Sequence, residues 1–157
     1  MNSNWRKLAR HAFIDLDLGS DSTIFISGMA RSGTTWLAEI LNHDNSQREI
    51  LEPFLPAKVK TARAFKTNQY LHPDNSDRVL IQNAKKILSG NFRSRWSDWG
   101  NRKFFGTRRI VKDVRTNLML KWLLRLRPGM PTLFLIRHPL SIHASWKKLG
   151  WGRGTET

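Results

Sequence analysis

Residues 23–36 constrain this chain more than any other stretch. Thr23, Ile24, Phe25 and Ile26 form a short β-branched and aromatic run, which predicts a buried strand. Gly28 and Gly33 bracket a tight loop, and the segment from Thr34 to Asn42 predicts a helix beginning at Thr34. A strand, a glycine-bracketed turn and a helix start direct backbone N–H groups and the positive end of a helix dipole at one point, which suits an anion. The spacing of the two glycines is that of a Walker A loop, but Thr34 and Thr35 stand where that loop has Lys followed by Ser or Thr. The cation lies earlier, at Arg31, inside the loop. The competing reading is a structural turn that binds nothing.

Whatever follows this loop must supply the rest of a site. Glu52 sits beside Pro53 and near Pro56, and prolines prevent a helix from continuing, so Glu52 belongs to an ordered non-helical segment. A surface glutamate in a turn is the alternative. Residues 75–90 predict a helix, with Ser76 as cap, Leu80, Ile81, Ala84, Ile87 and Leu88 on one face, and Gly90 as stop. Residues 91–103 interleave Phe92, Trp96 and Trp99 with cations, a composition suited equally to stacking on a ligand and to anchoring a loop on the core. A second strand is predicted over 108–114, ending on Lys112 and Asp113, then a helix over 117–126. A third strand over 131–137 is almost wholly apolar, as for a parallel strand covered on both faces, and a helix over 140–148 follows. Near the start, Trp5, Leu8, Ala9 and Phe13 fall at helical spacing, which predicts a short amphipathic helix on the sheet edge.

Strand–helix alternation implies an α/β fold with a parallel sheet and right-handed crossovers. Such sheets bind ligands outside the carboxyl ends of their strands. Arg137, ending its strand, and Ser145, eight residues later, therefore face the same crevice as the Gly28–Thr35 loop. An arginine fork with a hydroxyl clamps phosphate well, although an arginine ending a strand often makes a structural ion pair instead.

Charge narrows the ligand class without choosing within it. Lys and Arg number 27 against 12 Asp and Glu, a formal net charge of +15, which favours anionic partners. The absence of cysteine excludes disulfides and thiolate metal sites and fits a reducing cytoplasm. No apolar run of about 18 residues is present, so no membrane span is expected.

The motif from Arg31 to Trp36 (Arg-Ser-Gly-Thr-Thr-Trp) after an apolar strand resembles the 5′-phosphosulfate loop of sulfotransferases that use 3′-phosphoadenosine 5′-phosphosulfate (PAPS). Arg137 and Ser145 resemble that family's 3′-phosphate motif, with arginine and serine at the family spacing. The resemblance covers roughly residues 23–148 and implies a P-loop-like three-layer fold in one domain over 1–157, with an acceptor-side segment at about 50–107. It also implies truncation at the C-terminus, because such domains usually continue well past the 3′-phosphate motif, whereas this chain stops at Thr157.

By the same resemblance, Ser32, Gly33, Thr34 and Thr35 hold the 5′-phosphate. Arg31 and Lys112 stabilise charge on the sulfuryl group, Arg137 and Ser145 hold the 3′-phosphate, and Trp36 stacks on adenine or packs in the core. Glu52 is the implied base, because Val114 occupies the position of the catalytic histidine in cytosolic members. The implied activity is sulfuryl transfer from PAPS to a hydroxyl or amine, releasing the desulfated product PAP, with no metal and no specific nucleic-acid partner. Three alternatives stay open: a P-loop nucleotidase or kinase, a basic nucleic-acid-binding module, and a non-catalytic PAPS- or PAP-binding remnant.

Overall fold

The computed structural model describes residues 14–16 and 23–151; the helix expected over Trp5–Phe13 lies outside them. A central sheet carries four parallel strands, β2 (Thr23–Gly28), β3 (Gln47–Leu51), β5 (Arg108–Asp113) and β6 (Thr132–Leu135). Their order is β3-β5-β2-β6, so the strand leading into the glycine loop is interior. A separate two-residue parallel pair joins β1 (Ile14–Asp15) to β4 (Phe105–Gly106). The helices are α1 (Thr34–Leu41), α2 (Arg78–Leu88), α3 (Leu120–Leu126) and α4 (Pro139–Lys148).

Period-two alternation along the strands distributes side chains to two layers. Phe25, Ile50 and Val111 face the larger layer, where they pack with Phe54, Phe65, Ala84, Ile87 and Trp122. Phe65 meets both Phe54 and Trp122 edge-on, at centroid separations of 5.3 and 6.3 Å. Trp122 is wholly buried and donates its indole N–H to the Asn75 carbonyl at 3.0 Å, satisfying the one polar atom it brings inside. Ile26 and Ile110 face the opposite layer and pack with Ala38 of α1. Helices thus cover both faces of β2 and β5, giving the expected three-layer α/β arrangement.

Four details depart from the sequence reading. The sheet has four strands where three were visible, because β3 reads as polar: Gln47, Arg48 and Glu49 hide it. Strand β6 is shorter than 131–137 and is an edge, with Leu133 and Phe134 40% and 48% exposed, so it is not covered on both faces. The cap of α2 is Asp77, not Ser76; its carboxylate accepts from Val79 and Leu80 N–H at 2.8 and 3.1 Å, and the helix runs 78–88. The segment after β5 opens with a 3₁₀ turn, Asn117–Met119, before α3 begins.

Register decides what the sheet presents at its carboxyl edge. Ser27 pairs with Asp113, Leu51 with Lys112, and Gly28 with Leu135. The ends of all four strands therefore lie in one row, with the glycine loop at its centre. No helix among the described residues is long and apolar enough to cross a membrane.

Candidate functional site

The loop after β2 is shaped by its backbone. Gly28 has φ +153°, and a Cβ there would lie 2.7 Å from the Leu135 carbonyl oxygen and 2.9 Å from Ser32 Oγ. Any side chain at this position would displace either the neighbouring strand or the loop itself. Gly33 takes φ +105° as the residue preceding α1, which lets the chain turn directly into the helix at Thr34. The hydroxyl of Ser32 is buried without a hydrogen-bond partner among the described residues, an expensive arrangement unless something else occupies the loop.

Two charged residues near the strand ends hold a left-handed backbone, Arg31 at φ 74° and Glu52 at φ 42°. The other non-glycine residues with positive φ among those described are both asparagines, a residue type that tolerates this region. Strained conformations of this kind persist where the surroundings impose them, and they concentrate at functional sites.

The surroundings of Glu52 are dense. Its N–H donates to the Lys112 carbonyl at 2.7 Å, and Arg115 donates to Oε2 at 2.7 Å. The Lys112 ammonium stands 3.8 Å from Oε1 and donates to Thr35 Oγ1 at 3.0 Å. Strand alternation explains how neighbouring residues serve both sides. Lys112 points to the α1 layer, reaching the first turn of that helix, while Asp113 points to the opposite layer. The cation that position 34 lacks is thus delivered to the helix start from the adjacent strand.

Asp113 is fully buried and accepts from Phe54 N–H at 2.8 Å and Arg115 N–H at 2.7 Å. One carboxylate thereby binds the segment after β3 to the segment after β5, and so positions the Glu52–Arg115 pair. Burial pushes its pKa up to about 6, against the opposing pull of the two N–H donors and of Arg115. Ser27 adds a further tie, donating to Asn117 Oδ1 at 2.9 Å.

At the other end of the loop the contacts are exposed. Arg31 Nε donates to Ser145 Oγ on α4 at 2.9 Å, and Arg137 donates to the Arg31 carbonyl at 3.0 Å. Residues 31, 137 and 145, drawn from two distant motifs, therefore form one cluster. His138 accepts from Leu140 N–H through Nδ1 at 3.3 Å, which makes it the cap of α4. Trp36 is 67% exposed on α1, which excludes core packing for it. A cleft of about 920 Å³ opens beside Glu52, Lys112 and Arg115, between α1, the outer strand β3 and the loop of residues 91–102.

Of the residues singled out from sequence, the structure joins Arg31 with Arg137 and Ser145, and Lys112 with Thr35 and Glu52. Sequence reasoning missed Arg115, Asp113 and Glu49, the last of which lines the cleft. The one trace of Arg115 was a cation two residues beyond a strand end, the same placement as Arg137.

A family model for sulfotransferases matches residues 23–156. The chain belongs to the sulfotransferase family. No curated protein and no solved structure matches it significantly. The matched span of this sulfotransferase begins at the first residue of β2 and takes in both the glycine loop and the Arg137–Ser145 pair.

Proposed function

We propose that this sulfotransferase moves a sulfuryl group from PAPS to an acceptor hydroxyl or amine, using the carboxyl edge of the sheet. The observation that carries the reading is the 2.9 Å contact between Arg31 and Ser145, which joins a phosphosulfate-type loop to a 3′-phosphate-type pair across 114 residues of sequence. A loop with no room for a Cβ at Gly28, and with an orphaned hydroxyl at Ser32, fits an oxyanion wrapped by backbone N–H groups.

In this reading Ser32, Gly33, Thr34 and Thr35 hold the 5′-phosphate, and Arg137 with Ser145 takes the 3′-phosphate. The donor supplies a sulfuryl group whose S–O bond to the 5′-phosphate breaks as the bond from the acceptor forms. Glu52 accepts the acceptor's proton, oriented by Arg115 and by its backbone bond to Lys112. Lys112 and Arg31 stabilise negative charge around the transferring group. Preorganised donors of that kind are worth about 2.7–4 kcal/mol each. Trp36, exposed on the first turns of α1, is available for stacking on the purine.

Calorimetric titration with PAP, with and without magnesium, tests the donor assignment. Binding independent of magnesium and weakened by Arg137→Ala is expected. No binding by folded protein sinks the reading; binding that demands magnesium and prefers ATP replaces it with a nucleotidase. Binding indifferent to Arg137→Ala removes the 3′-phosphate assignment alone.

A further inference from the structure

The cleft beside Glu52 differs from the rest of the surface in charge. Three of the chain's 12 carboxylates line it, Glu39, Glu49 and Glu52, against three of its 27 cations, Arg102, Lys112 and Arg115. An electrically balanced cleft on a strongly cationic protein does not select a polyanion.

Its wall is built to hold one of those carboxylates in place. Asn101 bonds both backbone groups of Glu49, accepting its N–H at 2.8 Å and donating to its carbonyl at 3.1 Å, so a side-chain amide stands in for a neighbouring strand. Leu51 N–H donates to the Ser97 carbonyl at 2.8 Å, extending the same seam. Buried Arg48 anchors the start of the loop through Asp98 and the carbonyls of Gly90 and Phe92. Gly100 leaves the space that the Glu49 carboxylate fills: a Cβ there would lie 2.6 Å from Oε2.

The Glu49 carboxylate itself has no hydrogen bond or ion pair among the described residues, and burial holds its pKa above the ordinary carboxylate range, against the pull of Lys112. The half-exposed indoles of Trp99 and Trp151, 60% and 53% exposed, line the same cleft. Exposed tryptophans lining a polar cleft offer flat apolar faces to a ring that also carries hydrogen-bonding groups.

Building on the proposed sulfuryl transfer, we infer that the acceptor is a neutral saccharide, stacked on Trp99 and Trp151, with Glu49 accepting from a hydroxyl neighbouring the one presented to Glu52. A sugar ring has apolar C–H faces for the indoles and hydroxyls at its rim for Glu49 and Glu52. A simple phenol lacks the rim hydroxyls. An amine would bring a further cation towards Lys112 and Arg115.

Saturation-transfer NMR with cellobiose, maltose and chitobiose, and with 4-nitrophenol and phenethylamine as competing classes, tests this without requiring turnover. At least one disaccharide is expected to bind, with affinity falling about tenfold in Glu49→Gln and in Trp151→Ala, while PAP affinity stays within twofold. Gly100→Ala, which pushes the Glu49 carboxylate aside, should reproduce the Glu49→Gln loss. Signal from none of the disaccharides, preference for the phenol or the amine, or indifference to Glu49→Gln overturns the inference. A failed PAP titration alongside saccharide binding overturns the donor reading and leaves the cleft assignment standing.

Discussion

The two ends of the glycine loop are built differently. Towards β3, the Glu52–Lys112–Arg115 floor rests on a fully buried aspartate, on backbone bonds between strand ends and on residues with little access to water. Towards α4, Arg31, Arg137 and Ser145 meet through exposed polar contacts beside an edge strand. Exposed contacts of this kind are worth little in the free protein, whereas the floor is fixed before any ligand arrives. Under the proposed donor assignment the two ends divide the labour: chemistry on a preorganised floor, and donor capture at a clamp that would gain order from the anion it binds.

The strongest challenge to that division is Glu52→Gln. Removing the proposed base should lower sulfuryl transfer by about 10²–10⁴-fold while leaving PAP affinity within twofold; a parallel loss of PAP binding would mean that floor and clamp are a single unit. Asp113→Asn comes next, read by chemical denaturation between pH 4 and 7. The folded protein holds the Asp113 proton up to about pH 6, whereas an unfolded aspartate releases it near the ordinary value of 3.8. Over that interval the folded state binds more protons, so this group's contribution to stability is fully present below about pH 4 and is lost as pH rises through about 6. The loss is on the order of 3 kcal/mol at 1.36 kcal/mol per unit. In Asp113→Asn that portion of the pH dependence should vanish.

Smaller effects belong to the clamp. Arg137→Ala should weaken PAP by about 10–100-fold, from the loss of charge-assisted hydrogen bonds, with the thermal midpoint nearly unchanged. Ser145→Ala should cost about two- to tenfold in PAP affinity, as befits one neutral hydroxyl. A large drop in stability from either substitution would show that the clamp, like the floor, is part of the folded scaffold.

Strand β2, the turn and α1 were legible because each local signal there agrees: β-branched residues, glycines where φ is positive, and an apolar helix face. The same holds for β5 and α3. Strand β3 was not legible, because the fold and not the local sequence decides where its polar side chains go. Arg48 spends its charge on Asp98, Gln47 donates to the Leu41 carbonyl, and Glu49 faces the cleft. Nothing local marks such residues as strand formers. Residue types at the loop and at Arg137–Ser145 pointed to an anion, but Arg115 left only a faint trace and Asp113 none, since their importance comes from which strand ends the sheet brings together. The reading of β6 as doubly covered failed for a related reason. Apolar composition reports what a strand could bury, not which neighbours it has.

The delivery of Lys112 from β5 has a consequence for how this protein can change. In a nucleotidase loop the cation and the glycines share one short segment, so they move together under insertion or deletion. Here the ammonium's placement depends on the parity of a separate strand. Adding or removing a single residue ahead of Lys112 within β5 would swap the layers into which Lys112 and Asp113 project, stripping the loop of its cation and the floor of its anchor in one event. Length variation should accumulate in the surface connections and be purged from those six residues, even where the replacement residues are equally good strand formers.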